Sequence, residues 1–210
     1  MSFYAVANGK QPGIYNTWKE CCEMVKGFKN AIYKKFSNIE DAENFIEKSS
    51  ENENENIDYY VYTDGACKNN GIENSQSGIG VYFGENDERN LSEKVEGNKQ
   101  TNNVAELLAI NKAFYIIEND LKQNKRIEIY SDSIYAVNSV RVYGSAFEII
   151  KWKTDIPNKE LIKNTYDLYK EYIGKNVFLK YIKAHTNKRD IHSIGNYNAD
   201  RLANSAINLL

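Results

Sequence analysis

The 210-residue sequence predicts an α/β chain: a mixed five-stranded sheet with flanking helices, preceded by a small α/β N-terminal domain. Three observations predict it. An acidic, low-complexity stretch, SSENENENID (49–58), divides the chain. Before it, apolar runs read strand, helix, strand, helix within 48 residues. After it come three consecutive strand-like runs, then alternating helices and strands, the order expected of a mixed sheet with helices packed on it.

The expected domains are 1–48, a linker at 49–57, and 58–210. In the first, FYAVA is a short strand and Gly9 to Gly13 a turn. Thr17 is placed to N-cap a helix from Trp18, with Glu20 at its third position. Lys29 to Phe36 reads as a second strand, and Ile39 to Glu47 as a helix with Ala42, Phe45 and Ile46 on one face. The linker is polar and self-repelling, and would span on the order of 30 Å if extended. In the third segment, DYYVYTD, GIGVYF and LSEKVEG are strands. Asn102 to Lys122 is a long amphipathic helix, with Asn102 a candidate N-cap. RIEIYSD and NVFLKYIKAH supply the fourth and fifth strands, and a last helix is expected from about Asn198 to Ile207.

Composition narrows the class. A hydrophobic fraction of 41% supports a globular core, and no apolar run approaches the ~20 residues of a membrane helix. The first ten residues lack the basic start and apolar stretch of a signal peptide. Three cysteines, Cys21, Cys22 and Cys67, make a poor disulfide framework and no zinc spacing, so a reducing, cytoplasmic setting is expected. The formal net charge of −2 argues mildly against a nucleic-acid partner. Yet residues 51–58 alone carry −4, while the segments on either side carry +1 each.

Four acids stand out. Asp64 is read as ending a strand beside a Gly65 turn, and Asp132 as ending another, where open α/β sheets bind ligands. Glu106 falls in the first turns of the long helix, and Asp200 is read as opening the last one. An isolated Asp-Gly is ordinarily a turn, so spacing alone leaves a structural role and a metal role both open. Four converging carboxylates would need compensating cations, and oxygen-only ligands point to Mg²⁺ or Mn²⁺.

The segments YTDGACKNNG, GIGVYF, QTNNVAELLAI, IYSDSIYAVN, KWKT, IKAHT and NADRLA occur in that order over roughly residues 58–207. Together they resemble the successive signatures of type 1 ribonuclease H. The resemblance implies the ribonuclease H fold and an endonuclease that hydrolyses the RNA strand of RNA–DNA hybrids by a two-metal-ion mechanism, leaving 3′-OH and 5′-phosphate ends. It implies that Asp64, Glu106, Asp132 and Asp200 are the catalytic carboxylates holding two Mg²⁺, with Mn²⁺ as a possible substitute. His185, in KAHT, matches the family's loop histidine, which assists proton transfer or product release. The loop is longer than usual and also holds His192, which stays an alternative. Asn70, Gln100, Thr101, Asn102, Asn103 and Asn158 match or adjoin positions that contact the hybrid, Thr101 and Asn158 sharing a DNA phosphate. Tyr143 and Phe147 lie where many members carry a more aromatic and basic grip.

The first 36 residues resemble the hybrid-binding domain that precedes some ribonucleases H and recurs in a plant-virus inclusion-body family. Carried across, Tyr4, Trp18 and Tyr33 would face deoxyribose, and Lys34 and Lys35 phosphates. On the residues alone, Trp18 and Tyr33 are equally well the core of a tiny domain. The expected partner is an RNA–DNA hybrid, with no membrane and no obligate protein partner. A non-catalytic hybrid-binding protein that kept the fold is the alternative, which loss of one acid would have favoured. An integrase-type nuclease is a third, which this N-terminal segment disfavours.

Overall fold

Alternation of small apolar residues makes FYAVAN a strand buried on both faces, and it centres the first unit. In the computed structural model, which describes residues 2–50, 57–97, 100–173, 175–184 and 189–208, β1 (Phe3–Asn8) pairs antiparallel with β2 (Gly13–Tyr15) and β3 (Ile32–Phe36) in the order β2-β1-β3. The sheet is sandwiched. Val6 packs with Cys21 and Val25 of α1 (Trp18–Val25) on one face. Ala5 packs with Ala42 and Ile46 of α2 (Ile39–Ser50) on the other. The capping box forms as expected: the Thr17 hydroxyl accepts from Glu20 N at 3.2 Å, and Glu20 Oε2 from Thr17 N at 3.0 Å. Strand β2, outside the expected elements, begins at Gly13, the last residue of the expected turn, and β3 begins three residues later than Lys29. Helix α2 runs three residues past Glu47, into the start of the expected linker, whose residues 51–56 lie outside the described residues.

The second sheet has the order β6-β5-β4-β7-β8. Strand β4 (Tyr59–Lys68) pairs antiparallel with β5 (Gln76–Tyr82), which pairs with β6 (Leu91–Lys94). On its other side β4 runs parallel to β7 (Ile127–Ser131), and β7 to β8 (Val177–Tyr181). Helix α3 (Asn102–Lys122) covers one face, burying Leu107, Ile110, Phe114 and Ile117 against Val61, Ile127 and Ile129. A helical run follows β7: α4 (Ile134–Asn138), a π-helical turn (Ser139–Tyr143) and α5 (Gly144–Ile149). Helix α6 (Lys159–Tyr172) packs behind α3. The opposite sheet face carries α7 (Ile191–Ser205), which begins seven residues before the expected Asn198 because Asp190 caps it, its side chain accepting from Ser193 N at 2.9 Å. Asp200 therefore sits mid-helix and does not open it. The two units touch along α2, which contacts the π-helical turn. No described helix is long and apolar enough to cross a membrane.

Candidate active site

Two glycines bring the acids together. Asp64 is not at a strand end: β4 continues to Lys68, and Asp64 pairs across to Gly80. What ends there is the parallel ladder to β7, whose last pair is Thr63–Ser131. Asp132, the next residue after β7, can therefore reach Asp64. Gly65 is extended strand, not a turn. A Cβ there would lie 2.3 Å from Glu106 N and 2.5 Å from the Ala105 carbonyl carbon. Its absence lets the first turns of α3 settle on the strand. On the other face a Cβ at Gly80 would lie 2.1 Å from Ala199 O, so this glycine seats the turn of α7 that carries Asp200.

The result is a trio, Asp64, Glu106 and Asp132, whose carboxylate oxygens lie within 4.8 Å of one another. Asp200 stands outside that trio yet within reach of Asp64, with its Oδ1 held by Asn204 Nδ2 at 2.9 Å. Asp64 and Glu106 are buried, 6% and 5% exposed. Burial first, then the charges of Asp132 and Asp200, push the Asp64 carboxyl up to about 8. Burial first, then the charges of Asp64 and Asp132, raise Glu106 well above the usual carboxylate range. Glu106 Oε2 is buried with no hydrogen-bond partner, while Oε1 accepts from Asn102 Nδ2 at 3.4 Å. An orphaned buried carboxylate oxygen inside an all-oxygen cluster fits hard divalent cations. Asn196, which the motifs do not point to, donates from Nδ2 to Asp132 Oδ2 at 2.8 Å and is itself buried. Its only signal in the sequence is its place one helical turn before Asp200.

The raised carboxyls also set how stability varies with pH. The folded Asp64 pKa exceeds its unfolded value near 4, so the folded state binds the extra proton. Without divalent cations the protein loses stability as pH rises from about 4 towards 8. Asp64→Asn removes the Asp64 share of that loss. In EDTA at pH 8 the variant is expected to melt about 4–8 °C above wild type, and the gap to shrink as pH falls and to close near pH 4. Identical melting at pH 8 would refute the charge strain.

Among the substrate candidates, Thr101, not Asn102, N-caps α3, accepting from Val104 N at 3.3 Å. Asn102 takes the first helical position, its N–H donating to Asn70 Oδ1 at 3.2 Å. Gln100 is engaged internally, accepting from Ser77 N at 2.6 Å and donating to Gly97 O at 2.9 Å. Asn70, Thr101, Asn103 and Asn158 converge on a groove of about 510 Å³ shared with Tyr143 and Phe147. Asn158, left-handed at φ 60°, donates to the Tyr135 hydroxyl at 3.0 Å, a partner the sequence does not suggest. His185 lies outside the described residues. His192 is engaged by tyrosines: Nδ1 is 3.1 Å from the Tyr62 hydroxyl, and the ring packs 4.4 Å from Tyr130. Eight residues of helix, about 12 Å, separate it from Asp200.

In the first unit Trp18 packs, tilted, between Tyr4 and Tyr33 at centroid distances of 6.0 and 5.7 Å. Trp18 and Tyr33 are 48% and 45% exposed, so they form a surface rather than a core. Register puts Lys35 opposite Tyr4, on that aromatic face, with its Nζ 5.6 Å from the Tyr4 ring. Lys34 alternates to the α2 side and does not join them.

A nuclease-type five-stranded sheet with a carboxylate cluster at the end of its parallel ladder defines the class. The RNase H family matches residues 56–208, and the ribonuclease H1 N-terminal domain matches residues 2–46. The chain belongs to the ribonuclease H family, whose enzymes depend on divalent metal. It is 29% identical to the ribonuclease H of Schizosaccharomyces pombe, over 96% of both chains. It is 27% identical to human ribonuclease H1, over 96% of this chain and 87% of that one. A Clostridium botulinum ribonuclease H is 32% identical over 70% of this chain and 93% of its own. The fold matches the solution structure of the PFV RNase H domain with a TM-score of 0.56 at 18% identity, covering 72% of this chain and 94% of that one. It also matches a compost-derived RNase H1 with a TM-score of 0.50 at 24% identity, covering 73% of this chain and 98% of that one.

Proposed function

We propose that this ribonuclease H is an endonuclease that hydrolyses the RNA strand of RNA–DNA hybrids, leaving 3′-OH and 5′-phosphate ends. The observation that carries it is the trio of buried Asp64 and Glu106 with half-buried Asp132, and Asp200 beside it. Two Mg²⁺ bound there, or Mn²⁺ in their place, would supply Lewis acidity at the attacking water and the leaving 3′-oxygen. Asp64 and Asp132 are the central ligands, Glu106 and Asp200 the flanking ones. Asn196 keeps one Asp132 oxygen occupied and so orients the other. Glu106 also meets the RNA 2′-OH, alongside the amides of Asn70, Asn102 and Asn103. Thr101 and Asn158, in the groove, take a phosphate of the DNA strand. His185 serves proton transfer or product release, since His192 is committed to its tyrosine cage.

Residues 1–48 form a substrate-gripping domain ahead of the catalytic domain at 58–210. Its contacts are the rings of Tyr4, Trp18 and Tyr33 and the ammonium of Lys35. The three free cysteines suit a reducing, cytoplasmic setting.

The test is a panel of labelled RNA–DNA hybrid, double-stranded RNA and double-stranded DNA, incubated with Mg²⁺, Mn²⁺ or EDTA. Hybrid cut only with metal, at 3′-OH and 5′-phosphate ends, is expected. Cleavage of the DNA duplex, or an intact hybrid under both metals, sinks the reading. Trp18→Ala is expected to weaken hybrid binding by ~1–3 kcal/mol, as truncating an aromatic anchor at an interface does. Single-turnover cutting at saturating enzyme should survive. Unchanged affinity would return Trp18 to a structural role.

A further inference from the structure

One short helical run serves two surfaces. Along the π-helical turn and α5, Ser139, Tyr143 and Phe147 line the 510 Å³ groove. Between them, Arg141 and Ser145 point at the N-terminal unit. Arg141 Nη2 donates to Asn44 Oδ1 at 3.0 Å, and the Ser145 hydroxyl donates to the Glu43 carboxylate. Both sets recur every four residues, offset from each other by two. At about 100° per residue in α-helix, and somewhat less in the π-helical turn, that offset is roughly half a turn, so they occupy opposite sides of the run. Arg141 is the only base in Ile134–Ile149, and its guanidinium reaches α2.

The contact is a packed one. Ala42 and Ile46 of α2 are fully buried in the same apolar core as Val140, Tyr166, Tyr169 and Ile173 of the catalytic unit. Glu43 is 1% exposed. Meanwhile the Tyr4–Trp18–Tyr33 surface lies on the α1 face of its sheet, away from α2, and stays open.

We propose that the docked N-terminal unit braces the wall of the catalytic groove. It would then act on substrate twice: directly through its aromatic face, and indirectly by holding Ser139, Tyr143 and Phe147 in place through α2. The proposal rests on the hybrid-binding reading only for what the groove holds. The bracing itself is a property of the free protein.

Ser145→Asp sets a carboxylate against Glu43 and should undock α2; Glu43→Lys in the same chain should restore the contact as a charge pair. Arg141→Ala is the milder second variant, for use if Ser145→Asp fails to fold. Small-angle scattering of the 210-residue wild type should give a radius of gyration of ~17 Å, the value for a compact body of that length, and a larger one for Ser145→Asp. Amide exchange across 139–149 should accelerate in Ser145→Asp and Arg141→Ala and return in the charge swap. Hybrid affinity, read in EDTA, is compared within a Trp18→Ala background so that the module's own grip is already weakened. Undocking there should still cost about 3- to 10-fold. Unchanged scattering and exchange would overturn the docking. An undocked chain with unchanged affinity in the Trp18→Ala background would overturn the brace. A wild type that binds no hybrid would overturn the parent reading, while scattering and exchange still decide the docking.

Discussion

Asp132→Asn is expected to lower the single-turnover cutting rate at least about a thousandfold, roughly 4 kcal/mol of transition-state stabilisation, while leaving hybrid affinity intact. The substitution keeps shape and one acceptor oxygen, so the bond from Asn196 Nδ2, now 2.8 Å from Oδ2, can persist. What goes is a charge. Asp132 is the largest electrostatic neighbour of Asp64, so neutralising it eases repulsion in the metal-free cluster. The fold should therefore be no less stable in EDTA, and the loss should appear only in catalysis and in cation affinity. Calorimetric titration of Mg²⁺ or Mn²⁺ into the variant should show weakened binding, and hybrid affinity in EDTA should match wild type. Cutting within tenfold of wild type would remove Asp132 from the ligand set. A parallel loss of hybrid binding would make it a substrate contact instead.

Much of this site is legible in the sequence, though through different physics at different residues. Asp132 is readable because a strand rich in β-branched residues ends visibly at YSDS. Asp64 stands out as a candidate acid, but its place in the fold does not. Asp-Gly suggests a turn, whereas here the glycine is extended and exists for a helix to touch. Asp200 reads as opening a helix because the polar, glycine-containing stretch HSIGNYN hides the first two turns of α7. Gly195 in that stretch is a packing residue: a Cβ there would lie 2.3 Å from the Tyr62 ring. The roles of Asn196 and Tyr135 are invisible because their partners, Asp132 and Asn158, lie 64 and 23 residues away. Adjacency groups Lys34 with Lys35, yet strand alternation separates them. The docking of α2 is not legible either. Glu43 and Asn44 look like ordinary solvated helix residues until Ser145 and Arg141 meet them.

The glycine seats supply the second large effect. Gly65→Ala adds one methyl group, and two of the three nearest atoms it meets are backbone: Glu106 N at 2.3 Å and the Ala105 carbonyl carbon at 2.5 Å. Neither can swing aside as a side chain would. Either β4 or the start of α3 must move, and such overpacking costs ~1–3 kcal/mol. With so little slack the upper end is expected, a fall in Tm of about 6–12 °C. Activity should fall further than stability. Any retreat of α3 carries Glu106 away from Asp64, and misplacement by about 1 Å can cost a hundredfold in rate. Single-turnover cutting measured about 20 °C or more below the variant's Tm, on fully folded protein, isolates that loss. Gly84→Ala is the matched control, since a Cβ there meets nothing within 4 Å. If Gly65→Ala melts and cuts as Gly84→Ala does, Glu106 is not positioned by this contact. If stability falls but the rate at saturating Mg²⁺ holds, the strand has yielded and the helix has stayed, and the carboxylate trio tolerates a displaced Asp64 better than its buried, crowded geometry implies.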